Sequence, residues 1–176
     1  ASGGNLTLAT GGTTSTLASA WTTAVNNNGT FKMTSNWVAT AHETFTTAFN
    51  TDGVTSTALP FYNGGLNVPA GKTVTLDLNG YTLNRALATT KEEGRVITVA
   101  GTLIIQDTSS GGGGTITGGN SGSHNGAGVY MSPTANVTFK SGVISGNITN
   151  AYGGGIHNSN GNLTITGGTI RNNIAT

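Results

Sequence analysis

The sequence predicts an all-β protein, a β-solenoid in which short parallel strands form stacked coils behind an N-terminal cap. Segments 137–144 (VTFKSGVI) and 163–170 (LTITGGTI) align without a gap, at an offset of 26 residues. Within each segment apolar and polar residues alternate, as in a strand with one buried face. Such a strand cannot bury its apolar face alone, but coils stacked about 4.8 Å apart can. We therefore expect coils of three short strands each.

The first 63 residues do not carry the repeat and are predicted to cap the first coil. Segment 14–29 predicts one short amphipathic α-helix, N-capped by Thr14 or Ser15 and stopped at Asn28-Gly29. Residues 29–39 predict one strand, and residues 40–64 an irregular lobe over the first coil. The helix face comprises Leu17, Ala20, Trp21, Ala24 and Val25, and the lobe holds Phe45, Phe49, Phe61 and Tyr62.

No linker separates this cap from the repeats at residues 64–176, so we expect one structural domain. Aligning the repeats predicts four inward columns of apolar side chains. The columns are Val74, Leu103, Val137 and Leu163; Leu76 or Leu78 with Ile105, Phe139 and Ile165; Leu83, Ile116, Ile144 and Ile170; and Ile97, Val129 and Ile156. Two extra residues in the first coil leave both Leu76 and Leu78 as candidates for the second column.

Corners between the strands require sharp turns, which glycine adopts most readily and asparagine next. Asn147 and Asn173 occupy equivalent positions after the third strand of their coils. This equivalence predicts a stacked asparagine ladder at one corner, the alternative being two exposed turn residues.

The motifs also carry a family resemblance. Segments 68–85 (VPAGKTVTLDLNGYTLNR), 112–120 (GGGTITGGN) and 153–173 (GGGIHNSNGNLTITGGTIRNN) resemble the repeats of right-handed parallel β-helix proteins with a pectin-lyase-like fold. These are large secreted or surface-attached proteins of bacteria and archaea, many of them called adhesin-like. The resemblance covers roughly residues 64–176. It implies a right-handed parallel β-helix and an extracellular module of a longer chain.

The composition excludes several classes of protein. The 176 residues include 29 Gly, 33 Thr and 20 Asn but only 13 charged side chains, with a formal net charge of +1. This balance lacks the basic footprint of a nucleic-acid-binding protein and the high net charge of a disordered chain. Without cysteine, neither a disulfide framework nor a thiolate metal site can form. No apolar run approaches the roughly 20 residues of a membrane span.

An extracellular location, either secreted or at the cell surface, fits the polar and uncharged composition. The chain begins at Ala1 without an initiator Met, as expected after removal of a signal peptide or trimming of a longer chain. N-x-[ST] triplets, which can accept glycans, begin at Asn5, Asn28, Asn136, Asn147 and Asn162. Such triplets also arise by chance in a chain rich in Asn and Thr, so glycosylation is left open.

The acidic residues do not predict catalysis, and we expect neither catalytic residues nor a cofactor. Polysaccharide lyases and glycosidases need clustered carboxylates as Ca²⁺ ligands or as an acid/base pair. Asp77 and Asp107 lie near corresponding strand ends in successive coils, but later coils add no third acid. Lys91, Glu92, Glu93 and Arg95 are predicted to form a solvated, self-neutralising loop. A carbohydrate-binding or polysaccharide-degrading module remains the alternative function.

Outward positions offer a possible binding surface. Thr98, Tyr130 and His157 align as one outward column. The scattered residues His42, His124 and His157 are predicted to be plain surface or turn residues, and no metal site is expected. Outward threonines also form columns, Thr82, Thr115 and Thr169 in one and Thr75, Thr138 and Thr164 in another. Val143 and Ile104 interrupt these columns, so β-propensity explains the threonines better than ice binding does.

We therefore expect a non-catalytic structural and adhesive protein of a cell-surface appendage or extracellular matrix. Its partners would be other copies, surface proteins or glycans, with no nucleic acid and no membrane insertion. The last rung offers an unpaired edge for self-association into filaments, and a proline at Thr164 or Thr166 is expected to remove donors from that edge. The predicted association edge comprises Ile156, Leu163, Thr164, Ile165, Thr166, Ile170 and Ile174.

Overall fold

The computed structural model of the protein describes residues 5–7, 14–38 and 60–176. These residues form a β-solenoid of about four turns with a single short helix near the N-terminus, which confirms the predicted fold class. The helix α1 spans Thr14–Asn27. The strands before the first complete coil are β1 (Asn5–Thr7), β2 (Thr30–Lys32), β3 (Trp37–Val38) and β4 (Phe61–Tyr62).

Four coils follow along the chain. The first contains β5 (Gly65–Val68), β6 (Thr73–Asp77) and β7 (Thr82–Asn84). The second contains β8 (Ile97–Val99), β9 (Thr102–Gln106), β10 (Thr115–Thr117) and β11 (Asn120–Ser121). The third contains β12 (Val129–Met131), β13 (Asn136–Phe139), β14 (Val143–Ser145) and β15 (Ile148–Thr149). The fourth contains β16 (Ile156–Asn158), β17 (Asn162–Ile165), β18 (Thr169–Arg171) and β19 (Ile174–Ala175).

Equivalent strands of successive coils pair to form four sheets. Their strand orders are β1-β2-β6-β9-β13-β17, β3-β7-β10-β14-β18, β4-β5-β8-β12-β16 and β11-β15-β19. Every pairing between coils is parallel, and β4 with β5 is the antiparallel pair at one end of its sheet. The last three coils each add a short fourth strand that the prediction of three strands per coil missed. These strands are only two residues long, too short to show an alternating pattern.

The predicted inward columns are confirmed by the strand register. Leu103 pairs with both Val74 and Val137, and Ile116 pairs with both Leu83 and Ile144. The register also decides between Leu76 and Leu78 for the second column. Leu76 pairs with Ile105, whereas Leu78 lies beyond the end of β6. Leu78 is fully buried at the following corner. The side chains of the first three coils in these columns form the hydrophobic core.

The helix α1 covers the core at the N-terminal end of the stack. Its predicted apolar face is buried, and the Trp21 ring meets Phe31 edge-on with centroids 5.7 Å apart. The helix ends where predicted, with Asn28 in the left-handed region at φ 53°. Backbone N–H groups of Asn28 and Gly29 donate to the carbonyls of Val25 and Ala24, which forms a Schellman cap. The side chains of Thr14 and Ser15, the predicted N-caps, lie outside the described part.

The single strand predicted over residues 29–39 is wrong. This segment contains β2 and β3, which belong to two different sheets. Phe31 pairs with Leu76, and Trp37 pairs with Leu83, so two inward columns begin before residue 64. The polar break at Thr34-Ser35-Asn36 marks the corner between the two strands. Phe45 and Phe49 of the predicted lobe lie outside the described residues, whereas Phe61 and Tyr62 form β4.

Candidate functional site

The predicted outward column runs along the sheet β4-β5-β8-β12-β16. Tyr130 pairs with Thr98 on one side and with His157 on the other, and Asn67 extends the column into the first coil. The rings of Tyr130 and His157 stack with an interplanar angle of 6° and centroids 5.7 Å apart. Because equivalent strands stack in register, two planar side chains one coil apart lie parallel. The column is therefore ordered, with Thr98, Tyr130 and His157 partly exposed and Asn67 buried.

Arg95 lies over the other end of this stack, and its position corrects the prediction for its loop. Lys91 and Glu92 are exposed as expected, but Arg95 is only 6% exposed. Its guanidinium carbon lies 4.1 Å from the centroid of the Tyr130 ring, within the range of a cation–π contact. Its Nη1 pairs with Oε1 of Glu93 at 3.3 Å, and its Nε donates to the carbonyl of Asn125 at 2.8 Å.

Glu93 connects this ion pair to β4. Its backbone adopts φ 51°, in the left-handed region that residues other than glycine and asparagine rarely occupy. This conformation places its carboxylate where the Asn63 amide and the Tyr62 hydroxyl both donate to it. Burial, followed by the hydrogen bond to Glu93, raises the pKa of Tyr62 to about 12. Tyr62 is therefore a neutral donor over the physiological range.

Together these residues enclose a cleft of about 180 Å³ on the outward face. It is half open to solvent, and its walls combine aromatic, hydroxyl, amide and charged side chains. The lining residues are Tyr62, Asn67, Glu93, Arg95, Thr98, Ala100, Tyr130 and Ser132. Sequence reasoning found Thr98 and Tyr130 but missed Tyr62, Glu93 and Arg95, because these come from a loop and from the strand β4, which pairs antiparallel. The sequence did show a charged loop, with Glu93 and Arg95, shortly before the strand that contributes Thr98 to the column of Tyr130, and this could have indicated a contact between them.

His157 closes the stack at the last coil. Burial, together with the nearby positive charge of Arg95, lowers the pKa of this imidazole. Its Nε2 lies 3.3 Å from the Asn125 side-chain nitrogen, so the neutral imidazole can accept a hydrogen bond there. His124 has a buried Nδ1 without a hydrogen-bond partner among the described residues, and His42 lies outside them. Within those residues no three or more His, Asp or Glu side chains come close enough to hold a metal ion.

The two aspartates near strand ends are corner residues that hold adjacent coils together. Asp107 accepts hydrogen bonds from the backbone N–H groups of Gly80, Ser109 and Gly114, at 2.9, 3.0 and 2.6 Å. Asp77 accepts from the backbone and hydroxyl of Thr108 in the next coil. The two are not equivalent, because Asp77 aligns with Gln106 in the register. Burial raises the pKa of Asp107, but hydrogen bonds from Ser109, Gly114 and Gly80 outweigh it and lower the pKa overall.

The predicted asparagine ladder is confirmed, and it is internal. Asn147 is fully buried, and its Nδ2 donates to Oδ1 of Asn173 at 2.9 Å. Each side chain also accepts from the backbone one coil earlier, since Gly119 N–H donates to Asn147 and Asn147 N–H donates to Asn173. The left-handed residue at each corner is the one before the ladder, Gly146 or Asn172. A buried Asn147 also cannot accept a glycan in the folded protein, whereas Asn136 and Asn162 are exposed.

The predicted association edge lies in the last coil of the described residues. Strands β16 to β19 each pair on one side only among the described residues. Ile165 is 52%, Ile170 43% and Ile174 48% exposed, whereas Ile156 and Leu163 are partly buried. Ile174 points outward and stacks on Ile148, so it lies outside the inward columns.

The prediction that a proline at Thr164 or Thr166 would remove donors from the unpaired edge is wrong. The backbone N–H groups of Asn162 and Thr166 donate to the carbonyls of Ala135 and Phe139 in the previous coil. Thr164 lies between them in the same alternation and also faces that coil. The free edge donors of β17 therefore belong to Leu163 and Ile165. A proline at Thr166 would break the contact between coils instead of the open edge.

The fold defines a class of protein, a β-solenoid of about four turns, and here it carries an ordered outward column. Comparison with protein-family profiles, with curated proteins and with solved structures gave no match. No helix in the described ranges is long and apolar enough to cross a membrane.

The outward threonine columns form as predicted, and Ile104 and Val143 interrupt them in the register.

Proposed function

We propose that the protein is a non-catalytic structural and adhesive β-solenoid, secreted or held at the cell surface, that associates with other copies through its last coil. The single observation that carries this proposal is the apolar surface that the last described coil exposes. Ile165 and Ile170 top two inward columns, and 52% and 43% of their surfaces are exposed. In every earlier coil the equivalent side chains, such as Phe139 and Ile144, are completely buried by the coil above.

A second copy suits this edge because it offers the same chemistry. Coils within the chain already stack through parallel ladders and apolar columns, so two coil ends can contact each other through unpaired strand edges and isoleucines. The opposite end of the core is covered by α1, whose buried Trp21 packs on Phe31. Contact between two last coils would close a symmetric dimer, while contact with the helical end of another copy would propagate a filament.

The non-catalytic part of the proposal is supported by the use of the carboxylates. The oxygens of Asp77 and Asp107 accept hydrogen bonds from corner residues of their own and adjacent coils, and Glu93 is paired with Arg95. A general acid or base needs a proton that can be exchanged with substrate, and these groups are committed to structure. The extracellular part is supported by the low-charge composition and by exposed triplet residues such as Asn136 and Asn162.

Sedimentation velocity tests the association. The variant Ile165→Lys/Ile170→Lys places two positive charges on the open edge of each copy, and we expect it to remain monomeric where the wild-type protein forms dimers or longer assemblies. The matched control is Ile148→Lys, because Ile148 is also a partly exposed isoleucine, at 38%, but lies on a lateral face between β11 and β19. Circular dichroism checks that all three proteins fold.

A wild-type protein that stays monomeric at high concentration would reject association through the last coil. Assembly that is equally lost in the lateral control Ile148→Lys would move the contact to another surface. Electron microscopy of the wild type separates closed dimers from filaments, which differ in whether the helical end takes part.

A further inference from the structure

We infer that the cleft on the outward face is a binding site for an uncharged polyhydroxylated ring compound, of the size of a single sugar residue. The site involves none of the open-edge isoleucines, so it does not depend on self-association. Its walls come from the first three coils, the loop before β8 and strand β4. The inference combines the size of the cleft, the charge balance of its wall and the kind of polar groups that face it.

The size limits the ligand to a small molecule or to one unit of a chain. A volume of about 180 Å³ admits a single six-membered ring with its substituents, and the half-open shape lets such a ring carry further units outside the cleft. Tyr62 and Ala100 provide carbon surface against which the apolar face of a ring can pack. Tyr130 contributes only its ring edge, because Arg95 and His157 cover its two faces. A larger planar ligand would project beyond these walls.

The charge balance favours a neutral ligand. Arg95 and Glu93 pair within the wall, and their side chains are only 8% and 21% exposed. A carboxylate or an ammonium group on the ligand could bind one partner only by weakening this pair. The other partner would then remain poorly solvated, which is costly for a buried charge. A ligand without charge leaves the pair intact and can bond to the atoms that face the cleft.

The polar groups favour hydroxyls as the ligand's functional groups. The wall offers donors and acceptors side by side, namely the guanidinium of Arg95, the carboxylate of Glu93 and the hydroxyls of Thr98 and Ser132. Neither the bond to Glu93 nor that to Asn125 uses Nη2 of Arg95. A hydroxyl group both donates and accepts, so it can match either kind of partner.

The local backbone also points to a built site. Glu93 keeps a left-handed conformation, which is unfavourable for its residue type, and the segment around it holds a carboxylate and a guanidinium over an aromatic ring. An exposed charged loop needs no such conformation. The stack of Arg95, Tyr130 and His157 fixes the wall on one side, while the hydrogen bond of Tyr62 to Glu93 fixes it on the other.

The test is an NMR titration of the whole chain with methyl β-glucopyranoside, methyl β-galactopyranoside and methyl α-mannopyranoside, and with methyl β-glucuronide as the charged counterpart. We expect saturable shifts centred on Thr98, Tyr130 and Ser132 with at least one neutral glycoside, and weaker binding of the glucuronide. Thr98→Val and Ser132→Ala each remove one hydroxyl of the cleft wall with little change in side-chain size. Each should weaken binding by about fivefold, as expected for one lost hydrogen bond.

The matched control is Thr138→Val, which removes an outward strand hydroxyl on a different sheet and should leave the affinity unchanged. The two cleft variants are independent, so failure of one to fold leaves the other as a test. Absence of saturable shifts with all three neutral glycosides would overturn the inference. Tighter binding of the glucuronide would overturn the neutral ligand class, and unchanged affinity in both cleft variants would overturn the location.

Discussion

The two ends of the coil stack carry the same kind of apolar column but cover it differently. At the N-terminal end α1 packs over the partial coil of β2 and β3, and Trp21, Phe31 and Trp37 are at most 1% exposed. At the other end Ile165 and Ile170 occupy equivalent inward positions and are about half exposed. The apolar side chains of a solenoid coil are thus buried only by the adjacent coil or cap. The strand register within one coil does not predict whether that neighbour is present.

The same difference separates the third coil from the fourth. Val137 and Leu163 are neighbours in one inward column, but Val137 is 1% exposed because Leu163 covers it, whereas Leu163 is only partly buried. Substitutions at paired positions of these two coils should therefore differ in cost although the local strand is the same. This comparison gives the largest expected effects.

We expect Val137→Asp to destabilise the fold by at least about 4 kcal/mol, enough to unfold a marginally stable chain, because it buries an unpaired charge. Leu163→Asp should cost only about 1–2 kcal/mol, since its carboxylate can reach water at the open edge. Equilibrium denaturation followed by circular dichroism measures both free energies of unfolding.

The outward neighbours Thr138→Asp and Thr164→Asp are the controls for this pair, and both should cost under about 1 kcal/mol. Equal losses for Val137→Asp and Leu163→Asp would contradict the assignment of the last coil as an open end. They would indicate that Leu163 is covered in solution by another coil.

The asparagine ladder provides a second comparison of the same two coils. Asn147→Ala should cost about 2–3 kcal/mol, because the buried Gly119 N–H loses its side-chain acceptor and the Ile116 carbonyl loses the donor at Asn147 Nδ2. Asn173→Ala should cost about 1 kcal/mol, since water can approach Asn147 from the open edge. Thermal melts of the two variants give the order of stability, and a larger loss at Asn173 would contradict it.

Much of this fold could be predicted from the sequence because aligning the repeats also gives the strand register between coils. An offset of 26 residues aligns Val137 with Leu163 and Asn147 with Asn173, and both alignments are confirmed in the structure. Parallel stacking makes each position in one coil the neighbour of the same position in the next. The alternation of apolar and polar residues then assigns each side chain to the inside or the outside.

The parts that were missed are those that lie outside the repeat. The sequence shows a charged loop around Glu93 and Arg95, but it does not show that the guanidinium folds back over Tyr130, because this contact joins the loop to a strand 35 residues later. The pairing of β2 and β3 with the first complete coil was hidden since their spacing departs from the repeat. Side-chain contacts between non-repeating segments depend on packing, which local patterns do not encode.

The smallest expected effects are pH effects that distinguish the inner coils from the last one. The pKa of His157 in the last coil is lowered from its ordinary value of 6.5, so the folded state favours the neutral imidazole. Its contribution to stability is present above pH 6.5 and is lost as the pH falls through the lowered pKa. The pKa of Asp107 in the second coil is lowered from 3.8, so its contribution persists to lower pH and is lost only below that value.

Amide hydrogen exchange measured coil by coil between pH 7 and pH 3 should therefore show the last coil losing protection first, with the corner at Asp107 following only near the acid end. After correction for the intrinsic pH dependence of exchange, His157→Asn should abolish the early loss around β16, and Asp107→Asn should abolish the late loss around Gly80 and Gly114. Simultaneous loss of protection in all coils would show that the stack opens as one unit. In that case the last coil would be no less stable than the inner coils, and the two would respond to acid in the same way.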